Sequence, residues 1–203
     1  MNLTPIQIDA FTELVNIGVG KAASSLNEIV DSHIILSIPH VDILPLRDLN
    51  TVIAAFQELP LTSVSQEFTG DYAGSAALIF PSDSAVKLVS VLTDTEIDSA
   101  GLDAVRSGTL MEVGNIVINS ILGTISNELR SSLSFMLPEY HHKDITSLVS
   151  KYQQSSEAGL IILAKADMII QELAISGYIV FIFKINDLND LIRSIDRFIA
   201  GGM

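Results

Sequence analysis

The sequence predicts an α+β fold of two similar halves, at about residues 1–93 and 100–200, that share one hydrophobic core. Each half contains a long helix followed by antiparallel strands and a closing helix. Two observations predict this arrangement. The same order of helical and strand-like segments occurs twice, and one spaced set of polar residues and proline occurs twice at the same place in that order. No linker rich in glycine, serine or proline separates the halves, so we expect a single domain over residues 1–203.

The composition is that of a globular protein with a sizeable core. Hydrophobic residues make up 48% of the 203 residues, charged residues make up 17%, and the net charge is −13 at pH 7. Such an acidic chain is unsuited to nucleic acid or to an anionic membrane surface. The absence of cysteine excludes disulfides and thiolate chemistry. No secretory signal is visible, and the apolar stretches are too short to span a bilayer. We therefore expect a cytoplasmic protein without membrane insertion.

The first half opens with a well-marked helix. Thr4, Pro5 and Gln7 match a capping box with proline at the first helical position, and apolar residues then follow with helical spacing to about Asp31. Glycines at positions 18 and 20 indicate either a bend or a close approach of another backbone. Further elements are predicted in this half: strands at 33–39 (closed by Pro39), 51–58, 62–68 and 72–80, and a short helix at 82–92.

The second half repeats this order. The strand that ends at Pro39 aligns with one that ends at Pro138, an offset of 99 residues. The remaining elements follow the same sequence: a long helix at 102–130, a strand at 133–137 closed by Pro138, strands at 159–165, 168–175 and 178–184, and a closing helix at 186–198.

The repeated set of residues is Glu-x2-Asn-x22-Pro. A shuffled chain of this composition would contain about 0.01 such sets, whereas this chain contains two. They consist of the following residues: Glu13, Asn16 and Pro39 in the first copy, and Glu112, Asn115 and Pro138 in the second. Chance is therefore a poor explanation, and a structural or chemical reason is needed for each member.

The two prolines and the two polar pairs suggest different roles. Pro39 and Pro138 are predicted to terminate strand pairing, which is a structural role. Glu13 and Asn16 lie three residues apart on one helix face, which Asp9 extends by a turn. A solvated helix face is the plain structural interpretation of one copy. Asparagine is unfavourable inside helices, however, so two such residues at matching positions indicate a side chain needed as both donor and acceptor.

With these residues the chain resembles the CheC/FliY/CheX phosphatases of bacterial chemotaxis, whose signature is [D/S]-x3-E-x2-N-x22-P. The first copy is complete, with Asp9 in the leading position. The second copy departs from the signature, because Gly108 stands in the leading position and Thr109 lies on nearly the same face as Glu112. The resemblance covers the whole chain. Two motifs favour the CheC and FliY branches, and the extra segments of FliY-like members have no counterpart in these 203 residues, so we expect the CheC branch.

The resemblance implies a phosphatase that hydrolyses the aspartyl phosphate of a phosphorylated CheY-type response regulator. Glu13 and Glu112 would pair with the regulator's active-site lysine, and Asn16 and Asn115 would position the attacking water. Asp9 and Thr109 would have supporting roles. On this interpretation the chain binds no metal, and Mg²⁺ is expected on the regulator.

Other functions remain open at this point. The same fold could serve as a non-catalytic adaptor that binds a regulator or the receptor deamidase CheD, or as a structural domain of a flagellar switch. We expect a monomer, because two similar halves already supply what a dimer of single-motif chains would supply. His141 and His142 are adjacent and lack a carboxylate cluster, so they are predicted to lie in a solvated loop and not in a metal site.

Overall fold

The computed structural model describes residues 3–29, 34–45, 48, 60–93, 102–142, 159–170 and 173–201. The helices in these ranges are α1 (Pro5–Ile29), α2 (Ser82–Thr93), α3 (Leu102–Glu128) and α4 (Ile185–Gly201). The strands are β1 (Ile34–Pro45), β2 (Leu61–Gly70), β3 (Gly74–Pro81), β4 (Leu133–Phe135), β5 (Glu139–His142), β6 (Gly159–Ile170) and β7 (Leu173–Lys184). These helices are combined with the antiparallel strands of one sheet, which confirms the predicted α+β class.

The strands form one sheet in the order β1-β6-β7-β3-β2-β4, and β5 also pairs with β2. All of the pairings are antiparallel. The strand that follows each long helix pairs with the hairpin of the other half: β1 lies beside β6, and β4 and β5 lie beside β2. Strands of both predicted halves therefore belong to one sheet. The relation of the halves as an internal repeat stays a prediction.

The two long helices, α1 and α3, pack against each other over the sheet. Their backbones come close at Gly18, where an added Cβ would lie 2.5 Å from the Cα of Ile121. Of the two predicted explanations for the glycine, the close backbone approach is therefore confirmed at this position. Buried apolar residues of both helices join many of those of the sheet in one cluster, and a second, smaller cluster lies among the strands. Each large apolar side chain in them contributes about 1.5–3 kcal/mol to folding.

Helix α3 is unusually apolar. By length and composition alone, residues Ala104–Glu128 could cross a membrane, and no other helix in the described ranges meets that test. Half of its most apolar window is buried inside the protein. Packing against α1 and the sheet explains this apolar character, as expected of a core helix.

The start of α1 has the predicted capping box. The backbone N–H of Thr4 donates to Gln7 Oε1 at 2.9 Å, and the backbone N–H of Gln7 donates to Thr4 Oγ1 at 3.3 Å. The Gln7 amide also donates to Asp196 Oδ1 at 2.6 Å, which ties α1 to α4. The first helix is thus anchored at its start as well as at its crossing with α3.

The prediction that a proline closes its strand was wrong for Pro39, whereas a strand does end shortly before Pro138. β1 continues through Pro39 to Pro45, with a shift in register between Ser37 and His40. β4 ends at Phe135, and pairing with β2 resumes at Glu139, just after Pro138. A proline has no N–H to donate to the ladder, so Pro39 coincides with a register shift inside β1, and Pro138 lies between the end of β4 and the start of β5.

The last three predicted strands form two longer ones. β6 and β7 run through the polar positions that suggested breaks, because Asp167 and Ser176 face each other as a cross-strand pair and the Ser176 hydroxyl donates to Asp167 Oδ1 at 3.0 Å. Gly177 lies inside β7 because the ring of Phe80 occupies the space that a side chain would need. The predicted strand at 51–58 lies outside the described residues.

Candidate functional site

Site one is the face of α1 that carries Asp9, Glu13 and Asn16. All three side chains are exposed, while the opposite face of the helix is buried in the core. Three- and four-residue spacing brings the three side chains onto one stripe about a turn apart. Within the described part of the chain, no hydrogen bond or ion pair holds Glu13 or Asn16. Both side chains are therefore presented to solvent on a rigidly anchored helix.

Site two is the corresponding face of α3, with Thr109, Glu112 and Asn115. Glu112 is exposed, whereas Thr109 and Asn115 are partly buried. Gly108, in the leading position of the motif, is exposed, and an added Cβ there would meet no atom within 4 Å. The space for a leading side chain thus exists in site two, although the glycine leaves it without one.

The side chain of Asn115 is held by two neighbouring amides. Its Oδ1 accepts a hydrogen bond from Asn119 Nδ2 at 2.7 Å and a longer one from Gln66 Nε2 at 3.5 Å. A carboxamide oxygen has two lone pairs; the short bond from Asn119 occupies one, and the Gln66 amide faces the oxygen at the outer limit of hydrogen-bond distance. Among the described residues, the amide N–H groups of Asn115 have no partner. Those groups are the polar part of the side chain that remains available to a ligand, so Asn115 is presented as a donor and not, as predicted, as both donor and acceptor.

Gln66 and Asn119 were missed by the sequence analysis. Asn119 could have been found, because it lies four residues after Asn115 and therefore on the same helix face. Gln66 interrupts the apolar side of β2 between Val64 and Phe68, but one sequence does not show which helix faces that strand. The contact depends on tertiary packing.

The close packing of α3 on β2 explains how Gln66 reaches the helix. An added Cβ on Gly114 would lie 2.5 Å from Cγ1 of Val64, so only glycine fits at this point. At the offset of 99 residues, the counterpart of Gly114 in α1 is Val15, which is fully buried. The small residue beside Asn115 is therefore particular to site two.

The two motif prolines lie in the sheet and not on the helix faces. Pro39 lies at the irregularity of β1, and Pro138 lies in the gap between β4 and β5. The segment before Pro138 does approach site two, because the Met136 carbonyl accepts a hydrogen bond from Gln66 Nε2 at 2.8 Å. In addition, the Met136 N–H donates to the Glu67 carbonyl at 2.9 Å, which fixes this segment on β2.

Exposed apolar side chains adjoin both sites. Ile17, next to Asn16, is 36% exposed, and beside site two Met136 and Leu137 are 54% and 87% exposed. Large apolar side chains at such exposure are typical of surfaces that contact another protein, although single ones are common on any surface.

The adjacent histidines do not lie in a loop, so that prediction was wrong. Both belong to β5, and His141 Nε2 lies 3.0 Å from the hydroxyl of Ser65 on β2. In the described ranges, no three His, Asp or Glu side chains come together as a group that could hold a metal ion. His141 therefore contacts a side chain of the neighbouring strand β2.

The chain resembles known proteins in sequence and in fold. No protein-family model matches the chain. Over 136 residues the chain is 28% identical to the protein named CheY-P phosphatase CheC of Bacillus subtilis (strain 168). The matched segment covers 66% of this chain and 65% of that protein, which is slightly less than two thirds of its length.

Solved structures share the fold over nearly the whole chain. FliY of Thermotoga maritima superposes with a TM-score of 0.73 and 17% identity, and the match covers 100% of both chains. The FliM middle domain from H. pylori superposes with a TM-score of 0.62 and 12% identity, covering 95% of this chain and 99% of that one. At these identities the structures establish the fold alone. Together with the sequence similarity, they confirm the resemblance to the CheC/FliY/CheX family.

Proposed function

We propose that this chain is a chemotaxis phosphatase that hydrolyses the aspartyl phosphate of a CheY-type response regulator. Glu13 and Glu112 would dock the regulator by pairing with its active-site lysine. Asn16 and Asn115 would hold the attacking water in line with phosphorus. The observation that carries the proposal is the presentation of two Glu–Asn pairs on the outer faces of two anchored helices, in a chain similar to a CheY-P phosphatase.

The proposed hydrolysis needs few groups from this chain. An acyl phosphate is already reactive, and the regulator would contribute the Mg²⁺ and the lysine that stabilise the phosphoryl group. What remains is to place a water molecule, and correct placement alone can lower a barrier by several kcal/mol. Asparagine is too weak a base to remove a proton, so its role is positioning. In this proposal the chain needs neither a metal nor a nucleophile of its own.

Encounter with the regulator would rely on short-range contacts. The chain carries a net charge of −13, and response regulators are commonly acidic, so long-range attraction cannot accelerate their association. The exposed side chains of Ile17, Met136 and Leu137 supply apolar contact area beside the two sites. We therefore expect binding to show no acceleration as salt is lowered, and a strong acceleration would contradict this mode of docking.

The test is the decay of a phosphorylated CheY-type regulator in the presence of Mg²⁺. Wild type should accelerate the decay, Asn16→Ala and Asn115→Ala should each retain part of the effect, and the double variant should retain none. Asn127→Ala is a matched control, because this asparagine lies on α3 and is exposed near its end, away from the motif. A wild type without effect on any regulator would refute the phosphatase proposal.

The adaptor and flagellar-switch alternatives are favoured by one observation, the likeness of the fold to the FliM middle domain. An adaptor that bound a regulator or CheD would not need the asparagines for turnover. Binding of the regulator to the double asparagine variant, measured with a stable phosphoryl analogue, separates the possibilities. An enzyme should bind and fail to hydrolyse, whereas an adaptor should behave as wild type in both assays.

A further inference from the structure

Gln66 is a buried polar side chain at a position where an apolar side chain would stabilise the protein more. It is 3% exposed and lies on the helix-facing side of β2 between the buried side chains of Val64 and Phe68. Its Oε1 is buried and has no hydrogen-bond partner among the described residues. A buried acceptor without a partner costs stability, and an apolar side chain of the same length would avoid that cost. Packing therefore does not explain the glutamine.

The amide nitrogen of Gln66 does have partners, one in site two and one in the segment beside it. It donates to the Met136 carbonyl at 2.8 Å and to Asn115 Oδ1 at 3.5 Å. A primary amide carries two N–H groups, so one nitrogen can serve both acceptors. The shorter bond fixes the Gln66 amide on the backbone of the 136–138 segment, and the longer one directs it at Asn115.

A second amide acts on the same oxygen. Asn119 Nδ2 donates to Asn115 Oδ1 at 2.7 Å, and the Asn119 Oδ1 is itself buried without a partner among the described residues. Two amides thus direct their N–H groups at one oxygen while their own oxygens stay unpaired. Both amides therefore act on the orientation of the Asn115 carboxamide.

We propose that Gln66 is a positioning residue for Asn115, assisted by Asn119. The two amides hold the Asn115 oxygen inward against α3 and β2 and turn its N–H groups outward to the docked regulator. Those groups then donate to the oxygen of the attacking water, which keeps a lone pair free for phosphorus. This inference rests on the proposed phosphatase function for its effect on turnover, but the hold on Asn115 is measurable without any reaction.

The experiment replaces Gln66 with a side chain of similar length and no donor. Gln66→Met is made in an Asn16→Ala background, so that turnover comes from site two alone. We expect kcat for phosphorylated-regulator decay to fall about tenfold with KM unchanged, because the asparagine is still present but is no longer oriented. Ser65→Ala is the matched control: it removes a hydrogen bond to His141 from the other side of the same strand and should leave kcat unchanged.

The second readout is the side-chain amide of Asn115 in ¹⁵N-asparagine-labelled protein. Its NH₂ signals should report a rigid side chain in wild type and a mobile one in Gln66→Met. Asn119→Ala should give the same change. Asn119 is partly exposed, and its substitution leaves the contact of Gln66 on β2 with Asn115 in place. Loosening of Asn115 with a fall in kcat supports the proposal. An Asn115 amide of unchanged mobility, or an unchanged kcat with a mobile amide, overturns it.

These readouts separate the failure of the inference from the failure of the proposed function. If the protein hydrolyses no regulator, the phosphatase proposal fails, while the mobility of the Asn115 amide still decides the role of Gln66. If turnover is present and Gln66→Met changes neither kcat nor mobility, the phosphatase proposal stands and the positioning role is excluded.

Discussion

Site one and site two carry the same Glu–Asn pair but hold the asparagine in different ways. Asn16 is exposed, and no described side chain bonds to it. Asn115 is partly buried, and its oxygen accepts hydrogen bonds from Asn119 and Gln66. Because a fixed side chain loses less entropy when a ligand is positioned against it, site two is the more preorganised of the two sites.

The difference can be traced to positions that align at the offset of 99 residues. The residue before each asparagine is Val15 in α1 and Gly114 in α3. Only the glycine leaves room for Val64 of β2 to approach the helix. The residue four positions after each asparagine is Gly20 in α1 and Asn119 in α3. A repeated motif therefore does not guarantee a repeated environment, since the residues between the motif positions decide what surrounds it.

The largest effect is expected at the contact between α1 and α3, the two helices that carry the sites. Gly18→Ala would place a Cβ 2.5 Å from the Ile121 backbone, so α1 and α3 must move apart. We expect a loss of about 3 kcal/mol in the free energy of unfolding, and reduced turnover at both sites. Urea denaturation measures the first effect, and regulator decay in the single-asparagine backgrounds measures the second.

The control for this substitution lies two residues further along α1. At Gly20 an added Cβ would meet no atom within 4 Å. Gly20→Ala should therefore stabilise the protein by about 0.5–1 kcal/mol through helix propensity alone. Equal effects of the two substitutions would show that the contact of the helices at Gly18 is not the cause.

The sequence predicted the helices more fully than the sheet. The capping box at Thr4 and Gln7 is local, because both partners lie within one turn, and it is present as expected. The continuation of β1 past Pro39 could not be predicted, because it depends on pairing with β6 of the other half. The motif residues were found because they repeat, whereas Gln66 contacts Asn115 from 49 residues away in the sequence and has no local signal.

A smaller effect is expected from giving site one the amide that site two has. Gly20→Asn would place an amide four residues after Asn16, as Asn119 follows Asn115. In an Asn115→Ala background we expect turnover at site one to rise about twofold, since such a pair contributes about 0.2–0.5 kcal/mol. Gly20→Ala in the same background separates this effect from helix propensity. No gain over the alanine variant would mean that the amide at this position is not what distinguishes the sites.

The smallest effect is expected at the leading position of the motif. Gly108→Asp would restore in site two the carboxylate that Asp9 supplies in site one, and the exposed position has room for it. We expect KM for the regulator to fall by less than about twofold and kcat to stay the same, because an exposed carboxylate adds about 0.4 kcal/mol or less to docking. Gly108→Ala supplies the same gain in helix propensity without the charge, so a fall in KM shared by both variants would assign the effect to the helix. A fall found only with aspartate, and lost at high salt, would instead assign the leading residue to docking, in keeping with a carboxylate that contacts the regulator at the rim of the site.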